Sequence, residues 1–401
     1  MIYSGKHNCI WLIIAFIINP FLSVVYIFNR IAKGGYNKCY PILVSMFFGL
    51  LAITQYAPNA DINRSYHMML ALGNYNIQEL SLFLVADKYK IYTIVNYIIY
   101  QLTGNVQLSS LLWGGCIYYL IFLSFENLKR YYNDNSSKNN ILYYSSAIFC
   151  FVFFVEVMET MKQAVGFSMF LYSLTLFLND KYKKCLLILC LSAGIHMSQF
   201  LLLPLFLCTK LKPNFVIILM ILSFSFRTFN LMSLVNSAAS LVGLDILAEL
   251  SSSYIDQNYN NFISDAPYFV LTYVVVALFA LFYIITMKNN DFVVTNIVML
   301  YIVVLNLNYS NNHNYTRILL HSYPYWIMIL FSIKNLMKSK RMKSYIIGSM
   351  VIWTFFLQFW FSYGRIGINV DKYQTSFMGN SIVSILTSSS YSYLNYKVPI
   401  N

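Results

Sequence analysis

The chain has 401 residues, of which 59% are hydrophobic and 10% are charged, and its net charge is +13. Because soluble domains contain about 25% charged residues, this composition excludes an ordinary water-soluble enzyme. The positive charge lies in short loops between apolar stretches, which excludes a nucleic-acid-binding surface and is typical of a membrane-topology signal. We therefore predict an all-α, polytopic transmembrane helical bundle that forms a single integral membrane domain over residues 1–401.

Ten apolar segments are predicted to cross the membrane, because each approaches the roughly 20 residues that a spanning helix needs. They are 10–29, 40–56, 106–126, 141–157, 163–179, 214–232, 267–287, 292–308, 317–334 and 344–362. Residues 91–102 are too short, since twelve helical residues rise only about 18 Å. We expect an interfacial or re-entrant helix there, on the outer side, and about 10–12 spans including a broken helix pair.

Basic residues indicate the orientation of these helices. Six short loops hold 17 of the 27 basic residues but, with Glu126 at a helix end included, only four of the 14 acidic ones. The positive-inside rule assigns them to the cytoplasm. They are 30–38, 129–138, 181–184, 210–212, 288–291 and 334–343. The connections 57–90 and 233–265 and the tail 363–401 are then external.

Residues 185–208 contain His196 in an otherwise uncharged stretch. A single span here would invert every later loop, yet the flanking segments 181–184 and 210–212 are both basic. The sequence therefore predicts two short helices broken near "SAGIHMS", with His196 at the tip and reachable from outside. Such a break survives at membrane depth only inside protein or beside a wet cavity. The alternative is a core histidine bonded to a neighbouring helix.

Two further clusters carry ionisable residues on the predicted outer side. Asp61 and Arg64 are three apart, so they either pair on one helical turn or leave Arg64 to hold a phosphate. Lys162 and Gln163 follow Glu159, and Glu159 either forms a plain ion pair with Lys162 or leaves it for a ligand. A lysine at a helix start is unfavourable with the helix dipole, which favours a functional role.

The later outer-side clusters are cationic and aromatic. Arg227 ends the 214–232 segment, where its side chain either snorkels or binds a ligand. The stretch 308–326 is either an aromatic belt or a sugar-binding surface of stacking rings and hydrogen-bonding groups. Its candidate residues are His313, Tyr315, Arg317, His321 and Tyr323. Arg365 follows the last predicted span.

Motifs of the common enzyme classes are absent from the sequence. There is no Walker A, G-x-S-x-G, H-E-x-x-H or G-x-G-x-x-G pattern, and the seven cysteines form no C-x-x-C pair. We expect no metal and no cofactor. Cationic groups and His196 on one side of a membrane suit an anionic ligand such as a lipid pyrophosphate, whose developing charge arginine can stabilise.

These clusters, in this order, resemble the bacterial polysaccharide polymerases, comprising Wzy-type O-antigen polymerases and EpsG-like proteins. Asp61, Arg64 and Tyr66 are similar to the family's Asp-x-x-Arg-x-Tyr. "MKQAVG" resembles its Arg-Gln-x-x-Ala helix start, with Lys162 in place of arginine and Gln163 kept. The remaining likenesses are "GIHMSQ" with His196 and Ser198, "NYTRILLHSYPY" with Arg317, and the closing "NYKVPIN".

The resemblance implies a membrane glycosyltransferase with a lipid-dependent glycosyltransferase-like fold in the bacterial inner membrane. Its substrate would be an undecaprenyl-pyrophosphate-linked oligosaccharide within the membrane lipid, and a chain-length regulator protein would be a partner. His196, Asp61, Arg64 and Arg317 would be catalytic. The substrate-binding residues would be Lys162, Gln163, Arg227, His313, Tyr315, His321, Tyr323 and Arg365.

Three other functions remain open from the residues. A polysaccharide flippase or exporter would share the hydrophobicity, but more spans and internal repeats are expected of it. An O-antigen ligase is related but has a larger external loop than 233–265. A structural assembly partner would use its charged residues against neighbouring subunits.

Overall fold

A computed structural model describes about three fifths of the chain. The described residues are 7–53, 61–133, 144, 157, 160–225, 231–244, 248, 252, 292–309, 315, 317–319, 321–322, 324–325, 327–328, 381–384 and 386. Regular secondary structure in these ranges is helical throughout, which confirms the all-α class. The chain divides into two compact units, residues 1–199 with 354–401, and residues 200–353. The single-domain prediction stays a prediction.

The first unit contains nine described α-helices and the start of a 3₁₀ helix. They are α1 His7–Ile18, α2 Pro20–Ala32, α3 Cys39–Ile53, α4 Asp61–Leu72, α5 Ile77–Ala86, α6 Lys90–Thr103, α7 Gln107–Tyr131, α8 Met161–Leu178, α9 Tyr182–Ile195 and the 3₁₀ helix Met197–Thr209. Among the described residues, α7 and α8 are both long and apolar enough to cross a membrane, and several shorter helices are apolar.

The first predicted span, 10–29, is divided in the structure. α1 ends at Ile18 and α2 begins at Pro20, whose ring has no N–H to donate to the preceding turn. The Asn19 side chain instead accepts the Leu22 N–H at 3.0 Å and caps the new helix. The connection at 57–90, predicted to be external, contains α4 and α5.

Helix α6 has its polar face inside and its apolar face outside. Tyr92, Thr93 and Asn96 are buried, whereas Ile98 is 48% and Leu102 79% exposed. A water-soluble helix shows the opposite arrangement. An outward apolar face is stable where the surroundings are lipid.

Helices α3 and α7 pack closely at small residues. A Cβ atom added at Gly49 would lie 2.4 Å from the Leu111 carbonyl oxygen, and one at Gly114 would lie 3.0 Å from the Ala52 Cβ. The helices run antiparallel, because Tyr36, just before α3, donates its hydroxyl hydrogen to Glu126 near the end of α7 at 2.7 Å. Burial and this hydrogen bond raise the pKa of Tyr36, which keeps the phenol protonated.

Replacing Gly49 with alanine is expected to destabilise this helix pair. The new methyl group would meet backbone atoms of α7, which cannot move aside as a side chain does. Overpacking of this kind costs about 1–3 kcal/mol. The measurement is the thermal midpoint of the purified protein in detergent. Gly115→Ala is the matched control, because its Cβ would approach Ser45 only to an ordinary 3.5 Å. Equal midpoints for both variants would contradict the prediction.

Three side-chain contacts set the directions of α7, α8 and α9. Asn127 donates to Thr175 at 3.4 Å, so α7 and α8 end together and run parallel. Ser173 donates to the Cys185 carbonyl at 3.1 Å, so α9 returns antiparallel to α8. The basic segments at 30–38, 129–130 and 181–184 therefore lie at one end of the unit, which we call the basic end. The start of α8 and the end of α9 lie at the opposite end.

The second unit contains α10 Pro213–Ser223, α11 Leu231–Val242 and α12 Val293–Leu307. Helix α12 is buried along most of its length and runs parallel to α10. Two buried asparagines on α12 join the helices. Asn296 donates to the Cys208 carbonyl at 2.9 Å, and Asn306 donates to the Ser223 hydroxyl at 2.7 Å. Such polar contacts between buried helices are worth about 1 kcal/mol each in a membrane.

Candidate functional site

The start of α8 carries Lys162 and Gln163 at the end of the unit away from the basic loops. The helix begins at Met161 and is buried on most sides. Lys162 is half-buried in the first turn, whereas Gln163 is 3% exposed. The Gln163 Oε1 has no hydrogen-bond partner among the described residues. A buried acceptor beside a cation is a pair of groups that a polar ligand can use.

The end of α9 carries His196, which is 6% exposed. Its backbone is extended, with φ −151° and ψ 113°, so the α-helix stops here and a 3₁₀ helix follows. The break near "SAGIHMS" was predicted from the sequence, and the helix indeed stops within that stretch. The Ser198 amide stabilises this break in the helix, because it donates a hydrogen bond to the His196 Nδ1 at 3.3 Å.

This hydrogen bond sets the tautomer of the neutral His196 ring. An amide N–H can only donate, so Nδ1 is the unprotonated nitrogen and the ring proton is on Nε2. The Ser198 hydroxyl lies 2.6 Å from the same Nδ1. His196 therefore has a basic nitrogen that is coupled to a serine hydroxyl, an arrangement suited to proton transfer.

Gly166 lets the ends of α8 and α9 approach each other. The Ser192 hydroxyl donates to the Gly166 carbonyl at 2.8 Å. A Cβ atom on Gly166 would lie 2.9 Å from the Gln199 Nε2 and 3.2 Å from the His196 Cβ. Gln199 is fully buried, and its Oε1 has no partner among the described residues. Gly166 thus determines how close His196 can lie to α8.

Gly166→Ala is expected to reduce activity about tenfold while the protein still folds, because a 1 Å displacement of a reacting group can cost up to about a hundredfold. The measurement is polymer made per amount of protein in the membrane. Gly115→Ala serves as the control, since its Cβ would approach Ser45 only to an ordinary 3.5 Å and lies away from His196. The prediction is wrong if both variants make polymer at the normal rate.

Two tyrosines of the α6 region lie near Lys162, and one of them also contacts His196. The Lys162 Nζ lies 4.8 Å from the Tyr89 ring centroid and 5.8 Å from that of Tyr92. The Tyr89 ring also packs on the His196 ring, with centroids 5.1 Å apart and planes at 35°. One aromatic side chain therefore contacts residues from both motifs. A cation near two aromatic faces is held by their quadrupoles.

A buried polar network supports Tyr92 and links it to α4. The Tyr92 ring stacks on Trp113 at 5.1 Å, and the Trp113 Nε1 donates to Asn96 at 2.7 Å. The Tyr92 hydroxyl donates to Ser65 on α4 at 3.4 Å. Arg64 precedes Ser65 and is exposed. The α4 motif thus lies beside the aromatic residues that contact Lys162.

Tyr66, the last residue of the α4 motif, is buried at the α4–α7 contact, where its hydroxyl hydrogen-bonds to Ser110. This residue fixes α4 to α7 and has a structural role. Arg64, one turn after Asp61, remains on the exposed side of the helix.

The predicted aromatic surface at 308–326 belongs to the second unit. Tyr315 is buried and packs edge-on against Tyr309 at 5.1 Å. His321 is buried and Arg317 is half-buried. Tyr301 holds this segment on α12, because its hydroxyl donates to the Ile318 carbonyl at 2.6 Å. Among the described residues here, the rings of Tyr315 and Tyr325 are buried, as is that of Tyr301 on α12.

Comparison with known proteins gives one result. A family model described as the EpsG family matches residues 37–375, which is most of the chain and includes every candidate site residue. The chain belongs to the EpsG family. This family is Wzy-type polymerase-like, so the family predicted by the resemblance is confirmed. No curated protein and no solved structure matches the chain.

Membership of the EpsG family makes this chain a membrane protein of polysaccharide biosynthesis with a polymerase-like function. In this EpsG-family chain, the predicted residues Lys162, Gln163 and His196 lie together. Arg64 is on an adjoining helix. Arg317, His321 and Tyr315 are in the second unit. The other predictions, which concern Arg227, His313, Tyr323, Arg365 and the side chain of Asp61, lie outside the described residues.

Tyr89 and Tyr92 are the site residues of this EpsG-family protein that sequence reasoning missed. Residues 91–102 had been assigned as an interfacial or re-entrant helix and given no role. A signal was present: Tyr89, Tyr92 and Asn96 are spaced three and four apart, so they share one helical face. A polar and aromatic face on an apolar helix marks the side turned towards protein.

Proposed function

We propose that this EpsG-family protein is a glycosyltransferase that joins undecaprenyl-pyrophosphate-linked oligosaccharide units into a surface polysaccharide. It acts as a multi-pass protein at the periplasmic face of the inner membrane. The observation that carries the proposal is the contact of both Lys162 and His196 with Tyr89. This contact lies at the end of the unit away from the basic loops, which the positive-inside rule assigns to the outer side.

The depth of the cluster suits a lipid headgroup. Trp113, which packs on Tyr92, is six residues into α7 from Gln107, or about 9 Å along the helix. The cluster is therefore recessed from the start of α7, and we propose that the lipid pyrophosphate reaches it there. A half-buried cation at this depth interacts more strongly with a phosphate than one in water.

The reaction breaks one bond and makes another. The bond between the anomeric carbon of the growing chain and its pyrophosphate oxygen breaks, and the lipid leaves as undecaprenyl pyrophosphate. A hydroxyl of the incoming unit's non-reducing end bonds to that carbon and loses its proton. We assign the offset of the pyrophosphate's negative charge to Lys162 and Arg64, with Arg317 and Arg227 as further candidates.

His196 is the candidate base for the acceptor hydroxyl. Imidazole is the side chain most often used as a general base, and His196 is the histidine that contacts Tyr89. The Ser198 hydroxyl, 2.6 Å from Nδ1, can pass the proton on. Asp61 is the second candidate, either as the base or as the residue that orients Arg64. Gln163, His313, Tyr315, His321, Tyr323 and Arg365 are proposed to bind sugar or phosphate.

A deletion strain tests the function. Its surface glycolipid is separated on a gel and stained for polysaccharide, and we expect the ladder of chain lengths to collapse to a single repeat. That result means that units are made, flipped and ligated but not joined. Loss of even the single repeat would support a flippase or ligase instead. An unchanged ladder would exclude O-antigen and direct the same test to capsule or exopolysaccharide.

A further inference from the structure

Lys162 lies in the first turn of α8, in the segment that resembles the Arg-Gln-x-x-Ala helix start of the bacterial polysaccharide polymerases. Arginine holds a phosphate with a planar fork of donors, whereas lysine is a point charge on a flexible four-carbon chain. A lysine at such a position therefore requires another means of fixing its direction. The described structure supplies two aromatic rings within 6 Å of its Nζ, those of Tyr89 and Tyr92.

The two rings differ in how firmly they are held. Tyr92 is fully buried, stacked on Trp113 and bonded to Ser65, so it forms a fixed wall. Tyr89 is half-buried and immediately precedes α6. Its backbone N–H donates to the Asp87 side chain at 3.0 Å, which holds the turn that presents its ring.

Tyr89 is the nearer ring to Lys162 and the one that also contacts His196. Lys162 is on α8, His196 ends α9 and Tyr89 precedes α6, so one ring sets the separation of two groups carried by different helices. Loss of the Tyr89 ring is expected to leave α8 and α9 in place. It would remove the surface that the Lys162 ammonium and the His196 ring both contact.

We propose that Tyr89 is a positioning residue, whose ring contacts both Lys162 and His196 and so fixes the place of the Lys162 ammonium relative to the His196 ring. The inference rests on the proposed function, because it assumes that Lys162 binds the pyrophosphate. It adds a residue that acts through Lys162 and that lies outside the sequence motifs.

The test starts polymerisation by inducing each variant in the deletion strain, where unjoined units accumulate, and follows polymer per amount of membrane protein over time. We expect Tyr89→Leu to be about 5- to 30-fold slower, the range for loss of a cation–aromatic contact. Tyr89→Phe keeps the ring and is expected to restore most of the rate. Tyr97→Leu, on α6, is the control, since the Tyr97 hydroxyl donates to the Tyr75 carbonyl at 3.1 Å, away from Lys162 and His196.

A second background separates positioning from general packing. If Tyr89 acts through Lys162, its loss should cost several-fold less when residue 162 carries arginine, so Tyr89→Leu is repeated together with Lys162→Arg. An equal loss in both backgrounds would overturn the inference, as would a normal rate for Tyr89→Leu alone. Should the leucine variant not reach the membrane, Tyr89→Met, which is unbranched and flexible, replaces it in the same comparison.

Failure of the proposed function would give a different pattern of activities among the variants. If Lys162→Met makes polymer at the normal rate, Lys162 is not part of the pyrophosphate site and the proposed site is wrong. If Lys162→Met is inactive and Tyr89→Leu is normal, the site stands and the positioning role of Tyr89 is excluded.

Discussion

Lys162→Met is expected to abolish polymer formation, lowering the rate about 100- to 1000-fold. Methionine keeps the length and apolar stem of lysine but removes its charge, so the packing of α8 is preserved. Loss of one preorganised group that stabilises developing negative charge has an effect of this size. The measurement is the polysaccharide ladder from the deletion strain carrying the variant, normalised to the amount of protein in the membrane.

Two controls make the Lys162 result specific. Lys90→Met removes a lysine from the exposed start of α6, beside Tyr89, and should leave the ladder unchanged. Lys162→Arg keeps the charge and adds a planar fork of donors that can hold a phosphate, so most activity should remain. An inactive Lys90→Met would indicate that general surface charge matters, and an active Lys162→Met would exclude Lys162 from the reaction.

His196→Ala is expected to lower the rate by about 100- to 10,000-fold, the usual contribution of a positioned acid or base. The alanine variant alone does not separate chemistry from structure, because His196 also accepts the Ser198 amide at the break in the helix. His196→Asn separates the two roles. Its Oδ1 can accept the same amide hydrogen, but the side chain cannot take up a proton near neutral pH.

We therefore expect His196→Asn to fold with normal yield and to be as inactive as His196→Ala. Thermal midpoints in detergent measure the folding, and the ladder measures the activity. A polymerising His196→Asn variant would make His196 a structural cap and leave Asp61 as the candidate base. His67→Asn, which changes an exposed histidine on α4, is the control and should be neutral in both measurements.

Two predictions from the sequence depended on residues close together in the chain. The break at His196 followed from basic flanks on both sides of one apolar stretch, and the structure ends α9 at Ile195. The positive-inside rule predicted that the segments 30–38, 129–130 and 181–184 lie on the same side of the protein. Charge and hydrophobicity are local properties, so they can be counted without knowing which helices touch.

The division of the first apolar run at Asn19 shows the limit of such counting. Hydrophobicity alone made 10–29 one span, whereas Pro20 and the Asn19 cap begin a new helix. The relevant information was local, since proline lacks the amide hydrogen that a continuous helix needs. The prediction of a single span did not reflect this proline, because one proline changes the mean hydropathy of a long apolar segment very little.

The sequence by itself therefore determined that this is an all-helical membrane protein of the polysaccharide polymerase type, with Lys162 and His196 among its candidate residues. The tertiary structure alone decided that these two meet, and that they meet on Tyr89. That contact joins three helices, and it depends on Gly166 allowing α8 and α9 to approach. Contacts between distant segments are set by the packing of whole helices, which no local pattern of residues records.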